Sequence, residues 1–139
     1  MRVVLDTNVV VSGAFFGGSP RAVLDAWADG RLDVVVSPLI FDEYLRVCHR
    51  LRAAYPEADY QGVLTALLAH GTLVPDAHGG EVITEDPDDD KFLRCALAVD
   101  AVVVSGDRHL RDADGWRGVR VVTPAELLTR LSTGGSGAT

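Results

Sequence analysis

Four acidic positions in this chain stand where an acid contributes nothing to packing. Asp6 closes the apolar run Arg2 to Asp6 (RVVLD), and Asp107 follows the apolar run VVVSG by a tight turn at Gly106. Glu43 aligns with Leu39 and Val47, beside an apolar helical stripe, whereas its neighbour Asp42 stands four residues before Arg46, a helix-surface pairing. In Asp88-Asp89-Asp90 the helical period places Asp89 three and four residues before Phe92 and Leu93, on the face that Phe92, Leu93, Ala96 and Leu97 define. Asp90, four before Arg94, is expected to lean outward, with Asp88 on the opposite flank. A carboxylate aimed at a core is costly unless paired, protonated or bound to metal. Several in one crevice cannot all stay ionised without a strong positive partner. Oxygen ligation without His or Cys favours Mg²⁺ or Mn²⁺ over zinc, and such a site suits phosphodiester hydrolysis.

Each acid also has a plainer reading. Asp6 would cap the next turn with its own side chain. Glu43 would be a solvated helix acid, and the three aspartates would favour the positive end of a helix. Asp107 would be a loop acid paired with Arg108 or Arg111. Asp86-Pro87 is expected to turn the chain and cap the helix that follows.

Other chemistries find little support. No glycine pattern matches a phosphate loop or a dinucleotide fingerprint, and no GxSxG elbow is present. His49, His70, His78 and His109 show no ligand spacing, and only His109 lies near the acids. Cys48 and Cys95 fall on or beside apolar stripes and read as two buried thiols. The net charge of −7 argues against nonspecific coating of nucleic acid. That excess is local: six acids fall within Glu81 to Asp90, and the cations elsewhere are almost all arginine.

The elements that must position these acids alternate. Arg2 to Asp6 and Leu32 to Ser37 read as buried strands, Thr72 to Val74 as a third, Ala101 to Ser105 as a fourth and Arg117 to Val122 as the last. Val9 to Phe16 is a loop or short helical turn interrupted by Gly13. Helices are expected from Ser19-Pro20 to Gly30, from Ser37-Pro38 through Leu51, over roughly Asp59 to Ala69, from Asp88 to Val99, and from Thr123-Pro124 with Glu126 as a capping box. Val82-Ile83 reads as extended. Continuous apolar strands alternating with helices imply a mostly parallel sheet covered on both faces, with the ligand site beyond the strands' carboxyl ends. The length of 139 residues fits one domain. The expected division is a folded domain over 1–131 and a flexible tail over 132–139 (STGGSGAT). With no long apolar run and no signal-peptide pattern, no membrane association is expected, and the location is expected to be cytoplasmic.

At these residues the sequence resembles the PIN-domain family, most of all the branch assigned as toxins of toxin–antitoxin systems and related to the VapC-type ribonucleases. The resemblance is carried by Asp6-Thr7-Asn8-Val9 with Val10-Val11-Ser12-Gly13, by Ser37-Pro38 with Glu43, by DPDDDKFLRCALA from Asp86, by VVVSGDRHL ending at Leu110, and by VVTPAELL from Val121. It implies a three-layer α/β/α fold and a Mg²⁺- or Mn²⁺-dependent endoribonuclease acting on RNA. The family's acids map onto Asp6, Glu43, Asp89 and Asp107, and Asn8, Asp90 and Ser105 match positions that orient ligands or contact substrate. A homodimer and a cognate antitoxin protein are further expectations. Two rivals stand beside this reading. One is a PIN-fold binding module without catalysis. The other is an aspartyl-nucleophile phosphatase using Asp6, although Asn8 stands where that chemistry wants a second acid.

Overall fold

The computed structural model describes residues 1–137. Five strands, β1 (Arg2–Leu5), β2 (Asp33–Val36), β3 (Thr72–Leu73), β4 (Val102–Val104) and β5 (Val121–Val122), form one sheet in the order β3-β2-β1-β4-β5. Every pairing is parallel, with Val3 beside both Val34 and Val102. Among the described residues seven helices surround the sheet: α1 (Thr7–Phe15), α2 (Gly18–Ala28), α3 (Pro38–Leu51), α4 (Tyr60–His70), α5 (Asp90–Val99), α6 (Arg108–Asp112) and α7 (Pro124–Gly137). The result is a three-layer α/β/α arrangement. Val3, Val4, Leu5, Val34, Val35, Val103 and Val104 have no exposed surface, which is why the strand sequences read as unbroken apolar runs rather than alternations.

The chain runs outward from β1 to β2 and β3 on one side, and to β4 and β5 on the other. The order therefore reverses between β1 and β4, where the connections diverge and leave a crevice past the strand ends. Asp6 directly follows β1 and donates its backbone N–H to the Val104 carbonyl at 3.0 Å, tying the two strand ends together.

Several local expectations change. Val9 to Phe16 lies mostly in α1, and Gly13 does not break it. A Cβ at Gly13 would lie 2.6 Å from Leu24 Cδ1 and 3.0 Å from the Pro20 carbonyl, so this glycine is a close-packing point between α1 and α2. Gly13→Ala is expected to lower stability by about 1–2 kcal/mol through overpacking, read as a drop in the urea midpoint. Ser19 does not cap α2, whose N-cap is Gly17 at φ 107°. Ser37 makes no side-chain cap either; the Leu39 N–H of α3 is instead accepted by Asp76 Oδ1 at 2.9 Å, from a distant loop. Thr123 and Glu126 do form the expected cap, with the Glu126 N–H donating to Thr123 Oγ1 at 3.1 Å. The segment expected as a strand from Arg117 begins with a 3₁₀ turn, Trp116–Gly118, leaving only β5. Helix α7 ends at Gly137, and Ala138 and Thr139 of the expected 132–139 tail lie outside the described residues.

Cys48 and Cys95 are free and buried, and burial pushes both thiols up to about 11. Among the described residues no helix is long and apolar enough to cross a membrane.

Candidate active site

Helix α3 is fastened to the end of β1 by Tyr44, whose fully buried hydroxyl donates to the Leu5 carbonyl at 2.5 Å. That bond sets the position of Glu43, one residue earlier, relative to Asp6, one residue later than Leu5. The Thr7 hydroxyl donates to Glu43 Oε2, and Lys91 Nζ donates to Glu43 Oε1 at 2.7 Å. Only 18% of the Glu43 side chain is exposed, so this acid is held at the crevice rather than solvated on the helix surface.

Asp6 is 4% exposed, and its carboxylate accepts from the hydroxyl of Ser105, at 2.7 Å; Ser105 is itself fully buried. Ser105 Oγ also accepts the Asp107 N–H at 2.9 Å. One hydroxyl thus couples the acid that ends β1 to the turn that follows β4. Asp107 is half-buried and caps the short α6, accepting the His109 N–H at 2.7 Å. Its side chain therefore has a structural task in addition to its place at the site. Arg108 pairs with Asp112 at 3.8 Å, and the imidazole of His109 lies 3.5 Å from Glu85.

The aspartate triplet divides differently from the helical-period expectation. Asp86 accepts the Asp88 N–H at 3.0 Å and opens a 3₁₀ turn over Pro87–Asp89, as expected for a turn and cap. The regular helix begins only at Asp90, so the angles drawn from Asp88 onward do not apply to the first two acids. Asp90, expected to lean outward, is 1% exposed. Its carboxylate accepts the Ile83 N–H at 3.1 Å, the Thr84 N–H at 2.9 Å and the Thr84 hydroxyl at 2.7 Å, with Arg94 at 3.9 Å. These bonds pin the 83–84 loop and use Asp90 for structure. Asp90→Ala is expected to cost about 2 kcal/mol by stranding those donors, with increased amide exchange at Ile83 and Thr84 as the measurement. Leu97, counted with the buried face, is 39% exposed, and Cys95 lies in that face instead.

Asp89, at the end of the 3₁₀ turn, is half-buried. Its carboxyl is pushed up to about 6, first by burial and then by the charges of Asp107, Asp6, Asp86 and Glu43. Burial likewise raises Asp6; the Ser105 hydroxyl and the Asn8 backbone N–H oppose that rise, while Asp107 and Glu43 add to it. Four acids from four places in the sequence thus lie within electrostatic reach of one another. Among the described residues, no three acidic, histidine or cysteine side chains are grouped as they would be around a metal ion. Glu43 has both oxygens engaged, one by Thr7 and one by Lys91. The donor set nevertheless fits a hard divalent cation: the acids are all oxygen donors, and burial together with their mutual charge raises two of them.

Asn8 is exposed at the start of α1. With Ser12, Ser19, Asp107 and Thr123 it lines a cavity of about 400 Å³. Arg46, close in sequence to Glu43, pairs with Asp42 on the outer face at 3.2 Å. The cation inside the site is Lys91, which sequence reasoning passed over. A signal was available, because Lys91 is the one lysine among 13 cationic residues and directly follows the three aspartates.

A parallel α/β sheet with acids gathered at its reversal point defines a class of α/β domains with a carboxylate-lined ligand site at the strand ends. The match to the PIN-domain family model over residues 2–109 makes the assignment specific: the chain belongs to the PIN-domain family, whose members are generally nucleases. Uncharacterized protein MJ1680 of Methanocaldococcus jannaschii is 25% identical, with 92% of this chain and 90% of that protein covered. Two crystal structures share the fold. PAE2754 from Pyrobaculum aerophilum superposes with a TM-score of 0.61 at 18% identity, covering 96% of this chain and 90% of that one. VapBC2 from Rickettsia felis, bound to a DNA fragment from their promoter, gives 0.56 at 15% identity, covering 88% of this chain and 98% of that one.

Proposed function

We propose that this chain is a Mg²⁺- or Mn²⁺-dependent endoribonuclease that hydrolyses RNA phosphodiester bonds, and the toxin of a toxin–antitoxin pair. The observation that carries the reading is the convergence of Asp6, Glu43, Asp89 and Asp107 at the β1–β4 crevice, where burial first, and then the neighbouring acids, raise Asp6 and Asp89. Those four acids would hold the ion. When bound, it supplies a water of lowered pKa and neutralises charge developing on the phosphate.

The chain's own residues do the rest. Ser105 fixes the Asp6 carboxylate and the Asp107 backbone together, and Thr7 fixes one oxygen of Glu43. A ligand carboxylate held by a hydroxyl keeps its lone pairs aimed without rearrangement. The cavity beside Asp107, with Asn8, Ser12, Ser19 and Thr123 in its wall, offers amide and hydroxyl groups to a sugar–phosphate backbone. Asn8 is the substrate-contacting candidate, Ser105 the orienting one, and Asp90 acts through the loop it holds.

The toxin role rests on the sequence blocks named above and on the fold shared with VapBC2. A protein partner or a second copy is supported by an apolar pocket of about 610 Å³ lined by Pro38, Phe41, Leu45, Leu68, Leu73 and Val74 and by none of the four acids. Leu39, Leu45, Leu68 and Leu73 are all exposed on the elements around it. A cytoplasmic location accords with the proposal.

The test is cleavage of a quenched fluorescent single-stranded RNA in Mn²⁺ or Mg²⁺, with and without EDTA, beside a DNA of the same sequence. The proposal expects metal-dependent cleavage of RNA. Cleavage that EDTA leaves untouched, or none by folded protein over a panel of RNAs, sinks it. Arrest of growth on expression, relieved by the product of an adjacent small reading frame, tests the toxin role separately.

A further inference from the structure

The four-acid reading leaves one charge unexplained. Lys91 is the chain's one lysine, and it lies inside the crevice rather than on the surface. Its ammonium donates to Glu43 Oε1 at 2.7 Å and to the Asp88 carbonyl at 2.6 Å, and lies 5.0 Å from the centre of the Phe92 ring. Its side chain and that of Glu43 are each only 18% exposed. The other Glu43 oxygen is taken by Thr7. While the ammonium stays, its positive charge occupies Oε1 and competes with any cation for that carboxylate.

We propose that Lys91 is the resident counter-ion of the acid cluster, neutralising Glu43 in the metal-free protein and leaving that carboxylate when a divalent cation binds. The inference rests on the four-acid metal reading and deepens it. A single positive charge cannot balance four carboxylates, whereas a divalent ion reaches several at once. The lysine stem carries its charge on a flexible four-carbon chain, so the head can swing towards solvent without backbone movement. No bond is made or broken in the exchange. Lys91 is thereby a positioning residue: it keeps Glu43 at the crevice between metal-binding events and sets how tightly the ion is held. An arginine there would fork across both Glu43 oxygens and resist displacement.

Because the chain has one lysine, labelling the full-length protein with carbon-13 at lysine Cε yields a single reporter of this contact. On titration with Mg²⁺, that resonance is expected to move to the position of a free lysine, with the midpoint that calorimetry gives for Mg²⁺ binding. Calorimetric binding with an unmoved lysine signal overturns the proposal and leaves the metal reading standing. No binding of Mg²⁺ or Mn²⁺ overturns both. In parallel, Lys91→Met is expected to tighten Mn²⁺ binding about fivefold by removing the competing ion pair. The gain should vanish in a Glu43→Gln background, since the competition runs through that carboxylate. An equal gain in both backgrounds, or weaker binding in Lys91→Met, overturns the exchange. Should Lys91→Met fail to fold, the lysine resonance of the unmodified protein still decides the matter.

Discussion

Asp6→Asn is expected to lower the proposed metal-dependent RNA cleavage by at least about a hundredfold while leaving the fold intact. The two side chains have one shape, and the asparagine oxygen can still accept from Ser105, which holds the native carboxylate at 2.7 Å. What disappears is charge at the point where β1 meets β4. Asp6 is 4% exposed and its carboxyl is raised by burial, so ionising it costs the fold rather than supporting it. The variant should melt at or above the temperature of the native protein, and that separates loss of function from loss of structure. Undiminished cleavage by a folded Asp6→Asn protein would remove Asp6 from the proposed ligand set. Ser105→Ala is expected to give the smaller loss of about tenfold, because it releases the carboxylate without discharging it.

The second large effect is on stability. Burial and the neighbouring acids push Asp89 up to about 6, and Asp6 is also raised, so the folded state binds more protons than the unfolded one above the ordinary carboxylate range. Stability must therefore fall as pH rises through that window, and the penalty is fully present above about pH 6. The sign is opposite to that of a salt-bridged aspartate. Asp89 is only half-buried, and solvent screening reduces its share to the order of 1 kcal/mol, or roughly 3 °C in melting temperature. A divalent cation at a hundred times its Kd should reverse the penalty at neutral pH by about 2.7 kcal/mol, roughly 8 °C. Differential scanning fluorimetry with EDTA or Mn²⁺, at pH values either side of 6, measures both. A melting temperature that climbs with pH in EDTA, or that ignores Mn²⁺, contradicts the account. Asp89→Asn should flatten the pH dependence.

The sequence alone determined the parts governed by local and periodic rules. Continuous valine runs identified buried parallel strands because β1, β2 and β4 lose both faces to helices. The acids at strand ends were legible as Asp6 and Asp107, since parallel sheets open ligand crevices there. Thr123 with Glu126 was legible because a capping box is closed within one turn.

What only the tertiary structure decided is every contact closed over long sequence separation. Asp76, not Ser37, caps α3, because a loop returning beside β2 presents its carboxylate to the Leu39 N–H. Gly13 continues a helix, because Leu24 and Pro20 press against it across the α1–α2 contact. The aspartate triplet could not be divided by helical angles, because a 3₁₀ turn precedes α5 and shifts the phase by which Asp89 and Asp90 were compared. Asp90 turns to the 83–84 loop and Asp89 remains near the other acids, a division set by backbone N–H groups whose place no local pattern records. Lys91 shows the same limit. Its uniqueness was written in the composition, but the carboxylate it answers lies 48 residues away, and only folding brings Glu43 within 2.7 Å of it.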